Sequence, residues 1–177
     1  SNGVCINSTG YSVSYRGFNS GNSNVSTTNC IGISTSDLGF YFGNGGVHYN
    51  PTCISSSSTA AYIVGTVYIY SLTAVSSTSQ PVYSSASGAY IFGANIVCGW
   101  NNASGYGVNG ASNATFLGAL TNTTIKCSNG SAPYLYNGGV ATSLAMTGNT
   151  YRGGTTFNAN ITNTVSNTQD SQGNIYH

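Results

Sequence analysis

Apolar and polar positions alternate along most of this chain with the period of two of extended strands, not the longer period of a helix. The longest such stretch, Ala60 to Val75 (AAYIVGTVYIYSLTAV), sets Tyr62, Val64, Thr66, Tyr68, Tyr70 and Leu72 on one side and Ile63, Gly65, Val67, Ile69 and Ser71 on the other. Both sides are largely apolar, which predicts a central strand covered on two faces. A second long strand is expected over Ala89–Cys98 (AYIFGANIVC), with Gly93 as a bulge. Shorter strands are expected at Cys30–Ser34, Leu38–Phe42, Val47–Tyr49, Thr115–Leu120, Thr123–Cys127, Pro133–Tyr136 and Val140–Thr147. Asn44-Gly45-Gly46 and Asn137-Gly138-Gly139 read as hairpin turns. Thr155–Val165 alternates most cleanly, with Phe157, Ala159, Ile161 and Val165 opposite Asn158, Asn160, Thr162 and Thr164.

No fixed-period repeat stands out, which argues against solenoids and propellers. About eight to eleven short strands with frequent turn signals predict an all-β fold, a jelly-roll-like β-sandwich. Its expected organisation is an N-terminal segment (1–15), a sandwich domain (16–165) and a polar tail (166–177).

Composition narrows the function classes. Of 177 residues, three are Lys or Arg and two are Asp, with no Glu; charged residues are 3% of the chain, against about 25% in an average domain. Fourteen Tyr, six Phe and one Trp nevertheless supply material for a packed core. Without a basic stripe, nucleic-acid binding is not expected. No run of about 20 apolar residues exists to cross a membrane as a helix. The chain opens without a basic and hydrophobic leader, so an exported protein is expected to be the mature form.

Five cysteines, Cys5, Cys30, Cys53, Cys98 and Cys127, show no CxxC or Cys/His clustering, so no metal site is expected. Wide spacing in a hydroxyl-rich chain points to disulfides in an oxidising compartment. The odd count leaves one thiol, either buried and free or, as at Cys5 near the terminus, bonded to another chain; connectivity stays open. Sequons stand at Asn7, Asn24, Asn102, Asn113, Asn122, Asn129 and Asn160, mostly in expected loops, and attached sugars would hydrate a surface that lacks ions.

Catalysis finds little to work with. Gly105-Tyr106-Gly107-Val108-Asn109-Gly110 matches the dinucleotide fingerprint literally, but no helix-forming run or acidic residue follows at the required distance, so it reads as a glycine loop. Asp37 and His48 select no serine partner. No cofactor and no enzymatic activity are expected. Trp100 offers a stacking surface for sugar, or an indole packed over the end of the sandwich.

The terminal strands carry the functional expectation. An alternating strand at a chain end can leave its own domain and complete a neighbour's sheet, and edge charges, the usual guard, are almost absent. Val4 and Ile6, with Tyr11 and Val13, form the first candidate donor; Phe157, Ala159, Ile161 and Val165 form the alternative. In composition and terminal strands the chain resembles extracellular filament subunits of the archaeal thread type and jelly-roll fibrils of aquatic microbes. That resemblance implies a small glycosylated, pilus-like β-domain polymerised by donor-strand complementation from its N-terminal segment. The expectation is therefore a structural subunit of an extracellular filament, its partner copies of itself. The alternative is a secreted or surface carbohydrate-binding, adhesive module.

Overall fold

The computed structural model describes the backbone of residues 3–21, 24–85, 89–98, 106–110, 118–127, 134–137, 144–147, 150–152, 168–169 and 175–176, and the side chains of 3–21, 24–85 and 89–97. Every described element is a strand, as the alternation predicts. Their arrangement is not a sandwich. Residues 3–85 wind as a β-solenoid of about four coils, each lying parallel and in register on the one before.

The first coil is β1 (Gly3–Ile6), β2 (Thr9–Ser12) and β3 (Phe18–Asn19); the second is β4 (Val25–Thr28), β5 (Ile31–Ser34) and β6 (Phe40–Phe42). The third is β7 (Val47–Tyr49), β8 (Thr52–Ser55) and β9 (Ala61–Ile63). In the fourth, β10 (Val67–Ser76) forms the first two walls and β11 (Val82–Ser84) the third. Stacking continues through β12 (Ala89–Cys98), β13 (Tyr106–Gly110), β14 (Gly118–Cys127), β15 (Tyr134–Asn137), β16 (Leu144–Thr147) and β17 (Thr150–Arg152). The short strands β18 (Thr168–Gln169) and β19 (Ile175–Tyr176) follow, and they form the one antiparallel pair among the described strands.

Register exposes the repeat that the sequence reading missed. Gly3 pairs with Val25 and Thr9 with Ile31, 22 residues on; Ile31 pairs with Thr52 and Thr52 with Thr73, 21 residues on. Beyond residue 85 the connections lengthen: Val82 pairs with Val108 and Tyr90 with Ala119, offsets of 26 and 29.

Two further expectations are corrected. Ala60–Val75 is not one central strand: Ala61–Ile63 closes the third coil, and Val67–Ser76 opens the fourth. Asn44–Gly46 does not make a hairpin; with Gly45 and Gly46 at φ of 80° and 94° it carries the chain from β6 to the next coil's β7, which lies in the other sheet. Asn137–Gly139 extends beyond the described residues.

Corner chemistry explains why this chain coils. Between the first and second walls the backbone must turn through a left-handed conformation that only Gly, Asn and Asp adopt readily. Asn7, Asn29, Asn50, Ser71 and Gly93 hold that corner in successive coils, at φ of 51°, 52°, 51°, 57° and 68°. Asn29 Nδ2 donates to Asn7 Oδ1 at 3.1 Å and Asn50 Nδ2 to Asn29 Oδ1 at 3.0 Å, so the asparagines form a ladder along the axis. The turn also shifts the alternation by one. Val67 and Ile69 point inward before Ser71, and Leu72, Ala74 and Ser76 point inward after it.

A serine ladder holds the next corner. Ser12, Ser34, Ser55 and Ser76 each accept a hydrogen bond from the backbone N–H three residues on, at 2.9 to 3.1 Å. Ser34, Ser55 and Ser76 also donate across to the coil below, to the carbonyls of Tyr15, Asp37 and Ser58 at 2.7, 2.8 and 2.8 Å. The hydroxyls of Ser34, Ser55 and Ser76 thus both donate and accept, which allows them to be buried without the cost of an unpaired polar group.

The core lies inside the coils. Inward columns run Gly10–Gly32–Cys53–Ala74–Ile96 on one side and Phe18–Phe40–Ala61–Val82 on the other, so bulk shifts from the third wall to the second along the axis. Gly32 and Gly39 are obligatory in that scheme. A Cβ on Gly32 would run into the Gly39 carbonyl, and one on Gly39 would sit 2.6 Å from Ile54 O. Phe40 and Phe42 fill the space that they leave, stacked at 4.2 Å.

Candidate functional site: the open end coil and the outward columns

A parallel strand directs alternate residues' N–H and C=O groups to opposite neighbours. In the first coil, β1 pairs with β4, β2 with β5 and β3 with β6, and among the described strands none pairs with their other side. The bonds Asn7 N→Thr28 O, Ile31 N→Ser8 O and Thr35 N→Ser12 O commit residues 7, 8 and 12 to the second coil. By alternation the backbones of Val4, Ile6, Thr9 and Tyr11 face away from it. The side chains of Val4, Ile6, Tyr11 and Val13 point outward and are 74%, 58%, 64% and 63% exposed. The first candidate donor thus folds as the outer rim of its own chain's solenoid. The alternative donor, Phe157, Ala159, Ile161 and Val165, lies outside the described residues.

Arg16 is the single cation on this coil, and it is occupied. Its guanidinium lies 4.0 Å over the ring of Tyr41, with Tyr15 at 5.8 Å. Cys5 and Phe18, half-buried against the core, close the interior from this end.

Outward positions in register make aromatic columns. Tyr49, Tyr70 and Phe92 stack at 5.2 and 5.0 Å with interplanar angles of 17°; Tyr68 and Tyr90 stack beside them at 4.8 Å and 9°. Tyr41, Tyr62 and Tyr83 form another column on the third wall at 5.9 and 5.1 Å. Stacking between coils covers the ring faces, so these columns present edges and hydroxyls to solvent. A sugar that stacks on aromatics needs an open face; the residue put forward for that role, Trp100, lies outside the described residues.

His48 is a residue of strand β7, and it points into the core. It is fully buried, with Nδ1 2.9 Å from Thr27 Oγ1 and its ring edge-on to Phe42 at 4.8 Å. Nε2 has no hydrogen-bond partner, and burial lowers the pKa from 6.5 to about 4. His48 is therefore a neutral core residue, and no bond joins it to Asp37, whose backbone N–H instead binds Ser34. No group of three His, Cys, Asp or Glu side chains that could hold a metal occurs among the described residues.

The remaining expectations fall as follows. Tyr106–Gly110 of the glycine-rich segment is strand β13, not loop. Cys5, Cys30 and Cys53 are free thiols; Cys53 is fully buried and its pKa pushed up by burial. Cys98 and Cys127 are register partners on β12 and β14. Of the sequons, Asn7 sits at the laddered corner and Asn24 is exposed before β4, while Asn122 falls within β14. Asn102, Asn113, Asn129 and Asn160 lie outside the described residues.

What the sequence reading missed is the ladders. Their signal is recurrence of one residue type at 21 or 22 positions: Asn7/Asn29/Asn50, Ser12/Ser34/Ser55/Ser76 and Tyr41/Tyr62/Tyr83. Comparison with family models, with curated proteins and with solved structures finds no match to this chain.

Proposed function

We propose that the chain is an extracellular structural module, a neutral β-solenoid rod that assembles end to end into a filament. The join is strand addition at the exposed first coil, not insertion of a donor into a half-filled sandwich, because a solenoid has no such groove. The observation that carries this reading is the first coil's bare edge. Among the described strands these three have no second neighbour, the coil bears one charge that is turned sideways onto tyrosine, and no proline interrupts it. Charges, prolines and covering segments are the usual guards of an edge. Such an edge is best satisfied by another coil of the same build, which continues the ladders as well as the hydrogen bonds. A heterologous contact of this kind does not close on itself and yields a filament. Sugars on exposed sequons such as Asn24 would keep the sides of the rod apart.

Electron microscopy and sedimentation of the purified chain test the reading. Rods many chains long are expected, insensitive to salt because few charges are present to be screened. Tyr11→Pro removes an N–H that faces off the end, and should leave a folded but unassembled protein. Dispersed monomers from the unsubstituted chain at high concentration would refute the assignment.

A further inference from the structure

The odd cysteine count resolves once the coils are stacked. The Cys30 thiol lies 3.5 Å from the Cys5 carbonyl oxygen, so the second coil's thiol rests against the backbone of Cys5 itself. They come from different coils: Cys5 is on β1, where it pairs with Thr27, and Cys30 follows the Asn29 corner of the second coil. Cys98 and Cys127 are already neighbours in register on β12 and β14. Cys53 has Gly32 and Ala74 as its register neighbours and is sealed in the core.

We propose that Cys5 and Cys30 are a redox-closed staple that fastens the open end coil to the coil above it, with a small-molecule disulfide as oxidant. Cys5, half-buried at the end of the solenoid, is the entry point. Its thiolate attacks one sulfur of the small disulfide, whose S–S bond breaks; one small thiolate leaves and takes up a proton, and Cys5 is left as a mixed disulfide. Cys30 then gives its proton to solvent and attacks the Cys5 sulfur. The protein S–S bond forms, the second small thiolate leaves and is protonated, and the net change is two protein thiols oxidised for one disulfide reduced to two thiols. Burial raises the Cys30 pKa, so the second step quickens as pH rises.

The staple acts at an edge of the stack. Among the described strands β1 is held by one neighbour, whereas an interior strand such as β4 has two. Joining residue 5 to residue 30 restricts the opening of this coil without touching those above it.

The test uses the full chain, reduced and then incubated with oxidised glutathione. Alkylation, proteolysis and mass spectrometry without reductant should show a linked peptide joining Cys5 to Cys30, with Cys53 unmodified until the protein is denatured. Hydrogen exchange at β1 and β2 should slow on the order of tenfold or more on oxidation, while β8 and β9 are unchanged. Cys5→Ser should abolish the linked peptide and the slowing; Cys53→Ala should retain both. Glutathione retained on Cys5 at equilibrium, Cys5 linked to Cys53 or to another chain, or linkage without slower exchange would each overturn the proposal.

Discussion

Acidification should unfold this protein through one side chain. His48 is buried with Nε2 facing no acceptor, so its charged form, which needs acceptors at both ring nitrogens, is excluded from the folded state. The pKa is about 4 folded against 6.5 for the free side chain. Between those values the unfolded chain binds a proton that the native chain does not, so stability falls as pH drops through this window and levels off below it. The full difference corresponds to about 3 kcal/mol, most of it lost between pH 7 and 4.5. That is a large share of a stability of roughly 5–15 kcal/mol. With two Asp and no Glu, this chain has little of the carboxylate titration that normally dominates acid unfolding. Urea denaturation followed by circular dichroism at half-unit pH steps measures the effect. The midpoint should fall steadily below pH 6.5, and the double variant Thr27→Val/His48→Leu, which removes the histidine without stranding the Thr27 hydroxyl, should flatten the profile. A flat profile in the unsubstituted chain, or an equal slope in the double variant, would refute the assignment of His48 as a neutral core residue.

Substitutions at three further positions probe the ladders. Asn29→Ala removes both side-chain bonds of its rung and forces alanine into a left-handed corner, at a cost of about 2 kcal/mol; Asn29→Gly, free of the backbone strain, should cost about half as much. Ser71→Asn should raise the thermal midpoint, worth about 1 kcal/mol, because asparagine tolerates the φ of 57° better and continues the ladder towards Asn50. Ser55→Ala deletes the donation to Asp37 O and the acceptance from Ser58 N, and should destabilise by about 2 kcal/mol in urea titrations.

Strand positions were legible because alternation reflects inside and outside, and both exist in any β-fold. Ala89–Cys98 and Val47–Tyr49 were read at their observed bounds, and Cys30–Ser34 and Leu38–Phe42 within two residues of them. Alternation cannot say whether the next strand returns antiparallel or lies parallel one coil up, and the expected sandwich failed there. Thr115–Leu120 and Thr123–Cys127 were separated at Thr121-Asn122, where the structure runs one strand, β14, straight through. In β10 the left-handed Ser71 moves Leu72 to the inside, a reversal that a strict period of two cannot contain. The repeat is hard to see in the sequence because few positions keep one residue type from coil to coil. Longer connections after residue 85 then stretch the offset from 22 to between 25 and 29.

The candidate site was less legible than the fold. Val4, Ile6, Tyr11 and Val13 were singled out for their alternation, and they are the exposed rim of the first coil. That this rim is an unpaired edge follows only from pairing with β4 and β5. Nothing in the spelling of Cys5 and Cys30, 25 residues apart, brings the Cys30 thiol against the Cys5 carbonyl, nor does Thr27-to-His48 spacing announce a buried pair.

By itself the sequence determined a charge-poor, hydroxyl-coated, all-β protein, since β-branched and aromatic residues favour strands while the helix formers are scarce. Tertiary structure alone decided that the strands stack in parallel coils, that the asparagines and serines align into ladders, and that the first coil forms the outer edge of the described strands. The reason is that alternation is a local constraint satisfied by many pairings, whereas register arises only when residues 21 or 22 positions apart meet and satisfy one another's hydrogen bonds.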